Sequence, residues 1–454
     1  MLNTVHKITT VYILLLMATV VSAQSAVLDE YVATALAENP GLQAARLVVN
    51  ERAVAVELAA ASRRVNVDLK SDYLISAGGR GIDFPVGDLF NPTYATLNQL
   101  TGSEQFPTNL ENVETRFIPS NFHDTRVEAR LPLLAPLIGR EIALREAQQL
   151  EAKAATAVLE NNVRRQVRDL YYAWRQATEG QRIIDSSRTV LTELLRVNRV
   201  LAANDKVTGD VVFRTEAEIA ALDGQAAQLR ANANVAAAAL NRLLGRKLTD
   251  PLEQDLAPED DALPSPAPLS DLRTRVRAQR PELLQIDAGN ESLVRLEELQ
   301  NAGRRPTLGL FVNAGAQGFL NGDFGDHPYA TAGLGFSWNL YDGQKRDLQK
   351  QQTRLQREQL TRQRADALAG FEVEIYQALQ RLESERAQLA AATAAAAAAR
   401  ATYLITDARY RNQQALLLEV LDARNELTMA RLNENLARYR LLQADAALKA
   451  TVGE

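Results

Sequence analysis

The sequence predicts a mainly helical chain with four membrane-type β-strands, built from one strand-and-long-helix unit present twice. Three observations carry that expectation. The chain resembles itself at a fixed offset, it has two very long proline-free helical patterns, and it has short stretches of strict apolar–polar alternation.

The repeat comes first. Asn39-Pro40 begins one stretch and Arg280-Pro281 another, 241 residues on. Arg63-Arg64-Val65 matches Arg304-Arg305-Pro306 at the same offset. Farther along, Tyr171 and Ala173 match Tyr376 and Ala378, Asp210-Val211-Val212 matches Glu419-Val420-Leu421, and 240–245 matches 448–453. The offset there falls to about 205–209 because the first copy holds a longer loop. The expected organisation is a first copy at 24–250, a Pro-rich acidic linker at 251–268 and a second copy at 269–454.

Each copy reads helix, hairpin, long helix, turn, helix. No proline lies between Leu137 and Asp250, and none between Gln344 and Val452. Apolar residues step by three and four through Val163, Val167, Leu170 and Trp174, through Val190, Leu194, Val197 and Leu201, and through Ile375, Leu379 and Leu382. That is the seam of an antiparallel coiled coil. A helix from Ile138 to about Ala203 would run ~100 Å. The Ala394–Ala399 run lets neighbouring helices approach closely, and also simply favours helix.

The strands alternate. Val65, Val67, Leu69, Tyr73 and Ile75 face one way and Asn66, Asp68, Lys70 and Asp72 the other. Arg126, Glu128 and Arg130 alternate with Val127, Ala129 and Leu131. Ala330, Ala332, Leu334, Phe336, Trp338 and Leu340 alternate with Tyr329, Thr331, Gly333, Gly335 and Ser337, and a glycine-rich partner lies near Thr307–Phe319. Strands of about ten residues with one apolar and one polar face suit a membrane barrel around a wet lumen. A half-exposed soluble sheet gives the same pattern.

Other classes are narrowed by composition. The net charge is -5 with mixed signs, which does not suggest a nucleic-acid partner. There is no cysteine, which excludes disulfides, thiolate catalysis and zinc–thiolate sites. His6 and Lys7 precede an apolar run from Val11 to Val21, and Val21-Ser22-Ala23 follows in the manner of a secretory signal cut after residue 23. No later segment holds ~18 consecutive apolar residues, so membrane residence would have to be as a barrel. Four strands cannot close one, and an open edge in lipid leaves N–H and C=O groups unpaired. Several chains must contribute, and closure does not choose their number.

The chain here resembles the outer-membrane efflux proteins typified by TolC. The carriers are Asn39-Pro40, the strand entry at 304–315, the exit at 336–349, the turn at 410–424, and the paired endings at 243–245 and 451–453. The resemblance implies a homotrimer with a twelve-stranded barrel in the outer-membrane lipid of a Gram-negative bacterium. It implies a periplasmic α-helical tunnel, reached by a periplasmic adaptor and an inner-membrane pump, and a passive exit duct for efflux or type I secretion. No enzymatic activity, cofactor or metal is expected.

Two helix-to-helix turns carry the site expectations. Asn204, Lys206 and Val207 in one, and Gln413, Ala415, Leu416 and Leu417 in the other, would form an adaptor-contact tip. The apolar stretch from Ala415 also suits packing on the adjacent helix pair. Where the family often has a glycine, Asn204 and Gln413 stand, and Asn204 is the better suited to a left-handed conformation. By resemblance Asp210, Tyr410, Glu419 and Asp422 gate the inner end. The phenol of Tyr410 is expected to donate to a carboxylate. The family's arginine is replaced by Ala415, leaving Arg409, Arg411 or Arg214 as substitutes. Asp210 and Glu419 also suit helix N-termini on dipole grounds alone. His123 and His327 are expected in solvated outer loops. Two competing readings remain: an exported coiled-coil scaffold, and an outer-membrane adhesin or enzyme using the loop at 77–123.

Overall fold

The computed structural model describes residues 26–118, 120–253, 266–319 and 327–453. The secretory signal expected at 1–23 and most of the linker expected at 251–268 lie outside these residues. The first copy contributes α1 (Ala26–Glu38), α2 (Pro40–Ala61), β1 (Asn66–Leu74), β2 (Gly81–Phe84), α3 (Val86–Thr101), β3 (Val113–Arg116), β4 (Phe122–Leu134), α4 (Pro136–Ala203) and α5 (Asp210–Leu243). The second contributes α6 (Leu269–Gln279), α7 (Pro281–Ala302), β5 (Thr307–Phe319), β6 (His327–Ser337), α8 (Lys345–Arg411) and α9 (Leu417–Val452). The compact units do not follow the copies. A helical unit takes the described residues up to Val54, Arg145–Val294, and those from Thr353; a sheet unit takes Ala55–Leu144 and Arg295–Gln352.

The helical unit has two large cores, one built mainly on the first copy with Tyr439 and Ala446 of α9 added, and one on the second. Tyr171, Val167 and Trp174 of α4 pack with Leu28, Tyr31 and Ala35 of α1 and Leu240 of α5. Ile375 and Leu382 of α8 pack with Leu272 and Val276 of α6 and Leu441 and Leu448 of α9. Both cores hold seam residues expected from the periodicity. Lower on α4 the stripe rotates. Ile184, Ser187, Leu191, Leu195 and Asn198 are buried, while Val190 and Val197 are exposed. The expected stripe omitted these positions because Ser187 and Asn198 interrupt its apolar pattern, and both are buried against polar partners distant in sequence.

One joint is built twice. Asn39 Nδ2 donates to the Leu243 carbonyl at 3.1 Å, and Arg280 Nη1 donates to the Thr451 carbonyl at 2.8 Å. These carbonyls end α5 and α9, where no intrahelical donor remains. Each helix closes on a left-handed glycine, Gly245 (φ 68) and Gly453 (φ 89). A Cβ there would lie 2.9 Å from the Glu38 carbonyl oxygen and 3.0 Å from that of Gln279. Asn39 also accepts from the Leu42 N–H at 3.1 Å, an N-cap ahead of Pro40. Asn39→Ala removes both bonds and is expected to cost about 1–2 kcal/mol of stability, read as a lowered denaturant midpoint.

The sheet unit is one antiparallel sheet in the order β1-β4-β5-β6, with β2 and β3 as a separate pair. The register aligns Lys70, Arg126, Gly315 and Tyr329 in one row, and Asp68, Glu128, Asn313 and Thr331 in the next. All lie on the face expected to be polar. Lys70 Nζ is 2.8 Å from Glu128, which also meets Arg130, and Arg126 bridges Asp72 at 2.9 Å and Asp124 at 2.7 Å. The other face carries Val67, Leu69, Leu334 and Phe336.

That sheet is inside out. Glu128 is 5% exposed, whereas Leu69 is 75% and Phe336 65% exposed. A soluble sheet buries its apolar face and solvates its charges. His123 departs from expectation: it sits in β4, is buried, and shares the apolar face with Val127. The stretch at 77–123, expected as a loop, holds α3 and the β2–β3 ribbon.

Candidate functional site at the helix turns

The helical unit ends in two turns of identical construction. At the end of α4, the Asp205 N–H meets the Ala202 carbonyl at 3.1 Å and the Lys206 N–H meets that of Leu201 at 2.9 Å. At the end of α8, Gln413 meets Tyr410 at 2.9 Å and Gln414 meets Arg409 at 2.8 Å. This paired pattern needs a left-handed residue after the helix. It is supplied by Asp205 (φ 55) and Gln413 (φ 59). The left-handed position in the first turn is therefore Asp205, not Asn204. The Asn204 side chain instead bonds back to the Val200 carbonyl at 2.7 Å. Gln413 has no local device that favours φ > 0, and a non-glycine residue there costs on the order of 1 kcal/mol. Gln413→Gly is expected to raise stability by about that amount, and Gln413→Ala to leave the denaturation midpoint unchanged.

A polar layer lies just inside the turns. Tyr410 Oη donates to Asn198 Oδ1 at 3.0 Å, and Asn198 Nδ2 reaches Thr215 Oγ1 at 3.4 Å. Asn198 and Thr215 are fully buried. The Tyr410 phenol was expected to meet a carboxylate; its partner is this buried amide, and burial pushes its pKa up. The layer ties the last turn of α8 to α4 and α5, so it joins the two copies. Tyr410 and Val211 also pack against an apolar cluster that includes Ile184, Leu191, Leu222, Leu417 and Leu421.

The three carboxylates Asp210, Glu419 and Asp422 are exposed. Asp210 accepts from Thr208 Oγ1 and lies 3.7 Å from Arg214 Nε. Of the three arginines expected as substitutes, Arg214 is thus the one placed beside Asp210. Arg411 pairs with Asp407 at 2.9 Å, and Arg409 caps the turn at the Gln414 carbonyl. Glu419 Oε1 accepts from the Leu416 N–H at 3.1 Å, half of a capping box at the start of α9. Asp422 is exposed one turn later.

The tip residues divide. Asn204, Lys206 and Gln413 are exposed, and Val207 and Ala415 half-buried. Leu416 is 69% exposed, but Leu417 is buried in the apolar cluster. Leu417 therefore supports the tip from behind and does not present a contact surface. Its side chain points inward because it opens α9 on the face that carries Leu421.

Two residues escaped the sequence reading. Phe213, in the first turn of α5, is 70% exposed; its signal is an aromatic residue right after a helix start at an otherwise polar turn. Arg424 is 6% exposed and spans from α9 to Ser187 Oγ at 3.2 Å and the Ser186 carbonyl at 3.4 Å. Its guanidinium lies 5.0 Å from the Tyr403 ring centre, and burial lowers its pKa. Beside it is a groove of about 540 Å³ lined by Val190, Val197, Tyr403, Asp407 and Tyr410. No local pattern marks an arginine as buried.

Residues 272–454 match the family model described as outer membrane efflux protein. Among curated protein sequences nothing matches. Among solved structures the chain is similar to the outer-membrane channel OprN, at 19% identity and a TM-score of 0.70 over 94% of this chain and 90% of that one. It is also similar to VceC of Vibrio cholerae, at 15% identity and a TM-score of 0.67 over 94% and 96%. The CmeC channel of Campylobacter jejuni gives 15% identity and a TM-score of 0.70 over 94% and 86%. Residues 272–454 thus match that family's model, and the similarity of fold to these channels extends over 94% of the chain.

Proposed function

We propose that the chain is one subunit of an outer-membrane channel, the passive exit duct of a tripartite efflux or type I secretion system. The inside-out sheet is the observation that carries this reading. An exposed apolar face opposite a sheltered charged one suits lipid on one side and a wet lumen on the other. The free edges of β1 and β6 must be paired in lipid, so chains close on one another. Three copies would give the twelve-stranded barrel of the proposed homotrimer.

On this reading the helical unit extends into the periplasm of a Gram-negative cell. Asn204, Lys206, Gln413 and Leu416 face a periplasmic adaptor, which connects to an inner-membrane pump. Asp210, Glu419 and Asp422 set the charge of the inner end, and Tyr410 holds the gate through Asn198. Catalysis has no part in the reading. Cell fractionation followed by reconstitution in planar bilayers tests it. Outer-membrane recovery with discrete conductance steps is expected; release with the periplasmic fraction and no conductance would favour an exported scaffold.

A further inference from the structure

A cation is buried just inside the helix turns with no anion to balance it. Arg424 is 6% exposed. Its guanidinium donates to Ser187 Oγ at 3.2 Å and to the Ser186 carbonyl at 3.4 Å, and lies 5.0 Å from the Tyr403 ring centre. These partners are all uncharged, and no acceptor meets its Nε. Among the described residues no carboxylate pairs with it. Asp407 is engaged with Arg411 at 2.9 Å and Glu193 with Arg196 at 2.7 Å. A buried charge without a counter-charge is strongly disfavoured. The Tyr403 ring offsets part of that cost through cation–π attraction.

The same arginine lines the groove of about 540 Å³ between α4, α8 and α9. Val190, Leu194 and Val197 form its α4 wall, and Tyr403 and Tyr410 lie on α8. Val190 and Val197 remain 37% and 36% exposed. Small-molecule sites have this make-up: roughly 300–1,000 Å³, mostly apolar, with a few fixed polar groups. Charge selects the occupant. Glu193 and Asp407 also line the groove, and each is balanced by its own arginine. Arg424 therefore supplies the uncompensated charge, and it is positive. A neutral or cationic occupant leaves it unbalanced, whereas an anion does not.

We propose that this groove binds a small amphipathic monoanion, an aromatic or short-chain carboxylate, with its apolar body against Val190, Leu194 and Val197 and its head toward Arg424. Tyr410 belongs to the same groove, so an occupant braces α8 beside the bond to Asn198. That consequence rests on the gate reading above; the binding does not.

The probes are para-trifluoromethylbenzoate and the matching neutral amide. Equilibrium dialysis against the purified oligomer in mild detergent measures their binding, with fluorine NMR reading the concentrations. Saturable binding of the benzoate, about tenfold or more tighter than the amide, is expected. Arg424→Met should remove that preference, and Arg424→Lys should keep most of it. Val190→Trp fills the groove from an exposed position and leaves Arg424 in place; it should abolish binding of both probes. Each variant is first checked for an unchanged oligomer on an unheated gel. Equal affinity for the two probes, unsaturable uptake, or benzoate binding that survives Val190→Trp overturns the inference. Absence of binding also overturns it. In that case Val190→Cys, the only cysteine in the chain, shows whether a neighbouring copy covers the groove, because a covered position resists aqueous maleimide. Each of these failures leaves the exit-duct reading standing, since that reading is judged by membrane recovery and conductance.

Discussion

Gly315→Val is expected to stop the sheet from assembling. Gly315 lies in β5 between Arg126 of β4 and Tyr329 of β6. Above it the Tyr329 hydroxyl donates to Asp124 Oδ1 at 2.7 Å, crossing β5. A Cβ on Gly315 would overlap the Thr125 carbonyl oxygen and lie 2.8 Å from Arg126 Cα. Those are backbone atoms of a paired strand and cannot rotate away. Overpacking of a well-fitted site costs about 1–3 kcal/mol, and here the Arg126–Asp124–Tyr329 crossing is lost as well. The expected readout is loss of the heat-modifiable oligomer from the outer membrane. An oligomer of unchanged abundance and melting behaviour would show that β4, β5 and β6 are not packed in this register.

The double substitution Asp210→Ala with Tyr410→Phe is expected to raise single-channel conductance in planar bilayers. Loss of the Tyr410 hydroxyl strands the buried oxygen of Asn198, at about 1–3 kcal/mol. Loss of Asp210 removes the acceptor for Thr208 and the neighbour of Arg214. The Tyr410 change loosens the end of α8 from α4, and the Asp210 change frees the start of α5. A bias of that size shifts a closed–open ratio by roughly 5–150-fold. Unchanged conductance would remove the gate assignment and leave the channel intact.

Much of this molecule was legible in its sequence because the signals are periodic and local. The strand faces follow from alternation, and the register keeps Asp68, Lys70, Arg126 and Glu128 on one side. The upper seam of α4 and that of α8 follow from the three–four spacing. Failures came where a distant partner decides. Ser187 and Asn198 are buried because Thr428 and Tyr410 meet them from the other copy. The Tyr410 hydroxyl finds Asn198, not a carboxylate, for the same reason. α3 was hidden by Pro85, Pro92 and Pro107, which read as loop markers; Asn91 and Asn98 anchor the helix across the stretch at 77–123 despite Pro92. The left-handed residue of the first turn was misplaced by one position, since Asn204 and Asp205 both tolerate that conformation.

The central claim is that an open-edged, inside-out sheet closes by joining copies of this chain. Native mass spectrometry of the protein extracted from outer membranes in mild detergent tests that directly. The account predicts one dominant species with three times the mass of the processed chain. A stable monomer that keeps its secondary structure would contradict it, because the edges of β1 and β6 would then persist without partners.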